Sequence, residues 1–224
     1  MCAAFTLKIT HQQLLDGFGP ELDPHFPDED FNHRVLPQSA SLVVWQPTAN
    51  GLLKVSPMIF GLTPSWSKDP KVKFATHNAR IETLTEKPTW RGPLKNHRCL
   101  IPISYFTEPI YTGEFAGNMV NFEDRTSALL VAAGLYDQWV NKETGEVKDS
   151  FTIITGEPPA FIQNIGHDRC PLFLEKTAWA QWLNPEEHDS LKMASLLPKF
   201  RKDFNFTVAV ERPLAKGWEK RVKN

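Results

Sequence analysis

The second residue, Cys2, has the most unusual chemical potential by position. Removal of Met1 would leave a free α-amine beside its thiol, a pair that no internal cysteine has. With an aldehyde, the amine forms a Schiff base and the thiol closes onto the same carbon, giving a five-membered thiazolidine. The amine (pKa ~7.7–8.0) and the thiol (pKa ~8.5) are both partly deprotonated near neutral pH. Further along, Asn78 and Arg80 place an amide and a guanidinium two residues apart. Glu108 closes a hydrophobic stretch, where a partly desolvated carboxylate can act as a base. His167 stands at a turn before another apolar run, with Asp168 and Arg169 available to orient it. Taken singly, each also has a plain reading: a frayed terminus, a turn amide, a strand-end carboxylate, a hydrogen-bonded loop histidine.

Short elements must position these groups. A helix is expected to start at Thr10, with Gln13 as its capping-box partner. The Pro- and acid-rich stretch 19–30 reads as loop. Strand-like runs fall at 42–45, 55–62, 98–104, 118–122, 129–135, 151–155, 171–174 and 206–210. Later helices are expected at 177–183 and 185–196, the second with Asn184 as N-cap and Pro185 in the first turn. Many short strands with no βαβ rhythm indicate an α+β fold around a curved, mostly antiparallel β-sheet or barrel with short flanking helices. No repeat or linker divides the chain, so one domain spanning 1–224 is expected. Phe151, Phe173, Trp179 and Trp182 have apolar neighbours and read as core, whereas His11, His25, His33 and His188 read as surface.

The 224 residues carry 25 Lys and Arg against 26 Asp and Glu, a net charge of −1. That balance excludes a general polycation; nucleic-acid binding must come from a local patch. Residues 54–107 and 192–224 each carry +6, whereas 11–53 carry −5 and 108–191 carry −9. The two basic stretches are candidates for one groove face, or for plain solvated surface. Three scattered cysteines suit a reducing compartment, and no apolar run suggests a membrane span or signal peptide. A cytoplasmic location is expected, nucleoid-associated in a prokaryote or with nuclear access in a eukaryote. His97, Cys99, His167 and Cys170 are a poor zinc set, with no CxxC and a tight His-x-Cys spacing, so neither metal nor cofactor is expected.

Jointly, Cys2, Asn78-Ala79-Arg80 with Glu82, Arg98-Cys99-Leu100 with Pro102 and Glu108, and His167-Asp168-Arg169 with Pro171 resemble the SRAP (SOS response-associated peptidase) family. The resemblance spans about 2–183 and is weaker over 184–224. It implies a monomeric sensor and shield of abasic sites in single-stranded DNA. Processed Cys2 would capture the ring-opened sugar aldehyde as a thiazolidine. Asn78 would position the N-terminus and the sugar, Glu108 would serve as acid/base near the amine, and His167 would assist ring opening. Arg80 would hold a phosphate, Trp66 and Phe60 would stack on or wedge between bases, and Arg34 and Arg169 would add cations.

The sequence departs from the family pattern at several places. Cys2-Ala3-Ala4 lacks the usual Cys-Gly-Arg arginine, Arg34-Val35-Leu36-Pro37 replaces Asn-x-Ala-Pro, and Pro109 follows the glutamate. These changes bear on the DNA-binding surface and leave the crosslinking residues in place. Two other readings use the same residues. One is a cysteine peptidase built from Cys2, Glu108 and His167, acting on other proteins or on its own Met1 alone. The other is a non-catalytic single-stranded DNA-binding module, which would bind intact and abasic strands alike with steep salt dependence.

Overall fold

A computed structural model describes residues 4–26, 30–125, 129–202 and 204–221. Its strands are β1 (Ala4–Ile9), β2 (Phe31–Val35), β3 (Ala40–Trp45), β4 (Lys54–Phe60), β5 (Asn78–Arg80) and β6 (Arg98–Ile103). There follow β7 (Tyr105–Ile110), β8 (Asn118–Asp124), β9 (Leu130–Val140), β10 (Val147–Gly156), β11 (Cys170–Pro171) and β12 (Phe206–Pro213). The helices are α1 (His11–Phe18), α2 (Pro88–Asn96), α3 (Ala160–Ile165), α4 (Trp179–Leu183) and α5 (Ser190–Leu196). No helix among the described residues is long and apolar enough to cross a membrane.

Two β-layers result. Strands β10, β4, β3, β6 and β9 pair in that order, and β9 pairs back onto β10, closing a five-stranded barrel. Every contact around the ring is antiparallel except β4 with β10. Beside it lies an antiparallel sheet in the order β12-β8-β7-β1-β2, whose two edge strands are linked by an ion pair between Arg34 and Glu211. The expected α+β fold around a curved, mostly antiparallel sheet and barrel is therefore present.

The chain passes from barrel to sheet at Ser104, the single residue between β6 and β7. Its amide donates to the Thr6 carbonyl at 2.9 Å, while its hydroxyl accepts from the Lys8 amide at 2.8 Å and lies 3.0 Å from the Lys8 carbonyl. A run expected as one strand over 98–104 thus turns a corner stapled to β1. Every residue of β6 is buried, with Leu100 in one apolar cluster and Cys99, Ile101 and Ile103 in another. Burial on both faces explains why such strands read as unbroken apolar runs. The tight fit shows at Gly134, where a Cβ would lie 2.3 Å from Ile101 Cδ1.

The α1 capping box is present, with Thr10 accepting from Gln13 and the Gln13 side chain accepting from the Thr10 amide. The helix expected at 185–196 starts instead at Ser190, capped by Asp189 accepting from the Lys192 amide at 2.9 Å. The cause is Arg98, whose guanidinium takes the carbonyls of Asn184 and Glu187, acceptors that a helix from 185 would use within itself. Asn184 caps only a local turn, accepting from the Glu186 amide at 3.0 Å. The expected core aromatics Phe151, Phe173 and Trp182 are buried, and Trp179 is partly buried at the margin of the cluster that holds Trp182.

Candidate functional site

Alternation along β7 puts Glu108 on the face of Phe106, whose ring packs against Phe122 and Phe173. The carboxylate is therefore delivered into apolar surroundings and is 0% exposed. Its Oε2 lies 3.5 Å from His167 Nε2. Cys2 lies outside the described residues. Ala4, two positions further on, pairs with Thr107, the neighbour of Glu108 in β7.

His167 is held by the end of α3. Gly166 adopts a left-handed conformation (φ 103°), and a Cβ there would meet the Thr112 carbonyl oxygen at 2.3 Å. Only glycine fits this turn. The imidazole is buried, and burial pushes its pKa down to about 4, so it is neutral at physiological pH. Its Nδ1 lies 2.8 Å from the Arg169 carbonyl oxygen. That carbonyl can only accept and calls for hydrogen on Nδ1, whereas the Arg169 amide, 3.3 Å from the same nitrogen, calls for a lone pair there.

The end of β10 gathers the other residues. Asn78 pairs in register with Ile153 and Arg80 with Thr155, while Thr155 and Gly156 pair on the opposite edge with Pro171 and Cys170. Asn78 is buried and Arg80 exposed. Arg169 joins the two flanks: its guanidinium forks onto Glu82 at 2.7 and 2.8 Å and donates to the Thr155 carbonyl at 3.0 Å. Glu82, seen in the sequence only as part of a motif, is thereby a structural partner of the His167 turn. A cleft of about 460 Å³ opens beside His167, lined also by Thr112, Glu157 and Gln163. A cleft of about 490 Å³, walled by Leu52, Trp179 and Leu183, lies apart from these groups.

The residues expected to touch DNA divide sharply. Trp66 is 58% exposed on a loop pinned at both sides: the Ser65 amide donates to Asp137 at 2.8 Å and Trp139 Nε1 donates to the Ser67 carbonyl at 2.8 Å. Phe60 is a correction. It is 0% exposed, packed against Phe5 and Phe151, and has no face to offer a base. Arg34 is also corrected: it closes the sheet with Glu211 instead of standing as a loose cation at the site. Arg169 is buried and forked onto Glu82. Cys99 and Cys170 are buried, and burial pushes both thiols up, so neither is a nucleophile near neutral pH.

Among curated proteins, the chain is 34% identical over 205 residues to the abasic site processing protein YoaM of Bacillus subtilis (strain 168), covering 91% of this chain and 88% of that one. It is 31% identical over 160 residues to the abasic site processing protein HMCES of Pongo abelii, covering 58% of this chain and 45% of that one. Among solved structures, a protein from Bacteroides thetaiotaomicron superposes with a TM-score of 0.72 at 23% identity, covering 94% and 92% of the two chains. A protein from Bordetella bronchiseptica superposes with a TM-score of 0.73 at 20% identity, covering 94% and 100%. These two share the fold. With a family model matching residues 1–214, the chain belongs to the SOS response associated peptidase (SRAP) family.

Proposed function

We propose that this protein is a single-domain, monomeric sensor that captures abasic sites in single-stranded DNA through Cys2 once Met1 has been removed. The observation that carries this reading is the buried Glu108 facing His167 at 3.5 Å, next to the strand position that pairs with Ala4. Two residues of chain span about 7 Å at most, so Cys2 is tethered within reach of that strand. The relatives named as abasic site processing proteins support the substrate.

Opening of the abasic sugar breaks its C1′–O4′ bond: the anomeric hydroxyl loses a proton and the ring oxygen gains one. His167, neutral near physiological pH, is suited to take the first of these. The α-amine of Cys2 then adds to the aldehyde carbon, and water leaves as the imine forms. The Cys2 sulfur adds to the same carbon, its proton passing to the nitrogen. One water is released overall. Glu108, confined opposite the imidazole, takes and returns protons at the amine. In this reading exposed Arg80 holds a phosphate and buried Asn78 positions the opened sugar. Exposed Trp66 offers a stacking face.

The test is incubation with abasic single-stranded DNA followed by denaturing electrophoresis. A heat-stable, slower band that is lost in Cys2→Ala is expected. A Cys2→Ala protein that still forms the stable band contradicts the thiazolidine. A product that dissolves in high salt points to the non-catalytic module instead.

A further inference from the structure

We propose that Glu82 and Arg169 form a clasp that sets the tautomer of His167, making both of them positioning residues for the proton traffic between His167 and Glu108. The backbone of Arg169 offers His167 Nδ1 two opposite partners. Its carbonyl oxygen lies 2.8 Å away and its amide nitrogen 3.3 Å away. The first requires a hydrogen on Nδ1; the second requires a lone pair there. A modest rotation of the Arg169 backbone would exchange one for the other and move the ring hydrogen to Nε2. The lone pair would then no longer face Glu108.

The Arg169 side chain opposes that rotation. Both terminal nitrogens are held by the two oxygens of Glu82, and one also donates to the Thr155 carbonyl within β10. The planar fork makes this geometry specific in a way a lysine cannot reproduce. Glu82 lies two residues past the end of β5, which is itself hydrogen-bonded to β10. The clasp thus refers the orientation of the His167 turn to the barrel and leaves Gly166 free to shape the approach from α3. The Glu82 side chain is half exposed, so its pairing with Arg169 adds little to stability by itself. Its effect is on orientation.

The catalytic part of this inference rests on the proton-transfer roles proposed for Glu108 and His167; the tautomer part does not. The test is two-bond 15N–1H correlation of the histidine rings in the wild-type protein, Glu82→Gln and Arg169→Lys. Adduct formation with abasic single-stranded DNA is timed in parallel under single turnover. In the wild type, His167 is expected with hydrogen on Nδ1. In both variants a substantial share is expected to shift to the other tautomer, and adduct formation is expected to slow by about tenfold, a partial loss of one proton-transfer contribution. Hydrogen on Nε2 in the wild type overturns the proposal, even if neither variant folds. An unchanged tautomer in both variants also overturns it, whatever the rates do. A shifted tautomer with unchanged rates overturns the clasp's part in catalysis, and the assigned role of His167 with it. A wild type that forms no adduct sinks the proposed function and leaves the tautomer result standing.

Discussion

Two buried charged groups stand ten residues apart on one stretch of chain, and they have opposite fates. Arg98, at the start of β6, directs its donors onto the carbonyls of Trp182, Leu94, Lys95, Asn184 and Glu187 at 2.5–2.9 Å. Glu108, past the Ser104 corner, faces an imidazole whose proton position is adjustable. The first group is fully satisfied by backbone and holds α2, α4 and the approach to α5 against the barrel. The second is buried on the apolar face of β7 beside a titratable side chain. A buried charge bound by backbone carbonyls alone serves architecture; one set against a titratable side chain is available to chemistry.

Removing each group separates the two roles. Arg98→Met strips partners from several buried carbonyls at ~1–3 kcal/mol each, so a loss of about 3–5 kcal/mol in chemical denaturation is expected. Adduct chemistry in whatever material stays folded should be unaltered. Glu108→Gln and His167→Gln should reverse the pattern, with denaturation midpoints near wild type and adduct formation slowed by about 10²–10⁴-fold. Stability losses from Glu108→Gln as large as those from Arg98→Met would erase the distinction.

Titration sharpens it. His167 is held near pKa 4 in the folded protein against about 6.5 when unfolded, so the unfolded chain takes its proton first as pH falls. Stability should therefore drop between pH 7 and pH 4.5 by about 2–3 kcal/mol from this group, and His167→Gln should flatten that slope in urea unfolding. A wild-type His167 that titrates near 6.5 by NMR would contradict the burial argument.

The same contrast holds for two aromatics expected to meet bases. Trp66→Ala should weaken single-stranded DNA binding by about 1–3 kcal/mol with no change in stability. Phe60 serves the core, so its truncation should register in unfolding and not in binding to folded protein.

Legibility in the sequence followed distance along the chain. The Thr10–Gln13 cap was readable because both partners lie within one turn. β6 and β9 were readable because burial on both faces leaves an apolar run. α2 was hidden by Pro88, Gly92 and Pro93, ordinarily breakers; Pro88 stands in the first turn, where its missing N–H costs nothing, and Pro93 lies inside the helix. The start of α5 was misplaced because Asn184-Pro185 is a sound local signal overruled by Arg98, 86 residues away. Arg34 and Phe60 were assigned by residue type; the pairing of Arg34 with Glu211, 177 residues on, and the burial of Phe60 are tertiary facts. For the candidate site, residue types made Glu108 and His167 eligible and the family resemblance joined them. Their approach across 59 positions depends on the Ser104 corner and the Gly166 turn.

The central claim is that a freed Cys2 amine and thiol jointly trap an abasic sugar. The most direct measurement is the intact mass of mature protein, before and after exposure to an abasic oligonucleotide. The account predicts a starting mass short of one methionine and a product heavier by the oligonucleotide less one water. Retention of Met1 in every molecule, or formation of the same adduct on protein that retains it, would contradict the account.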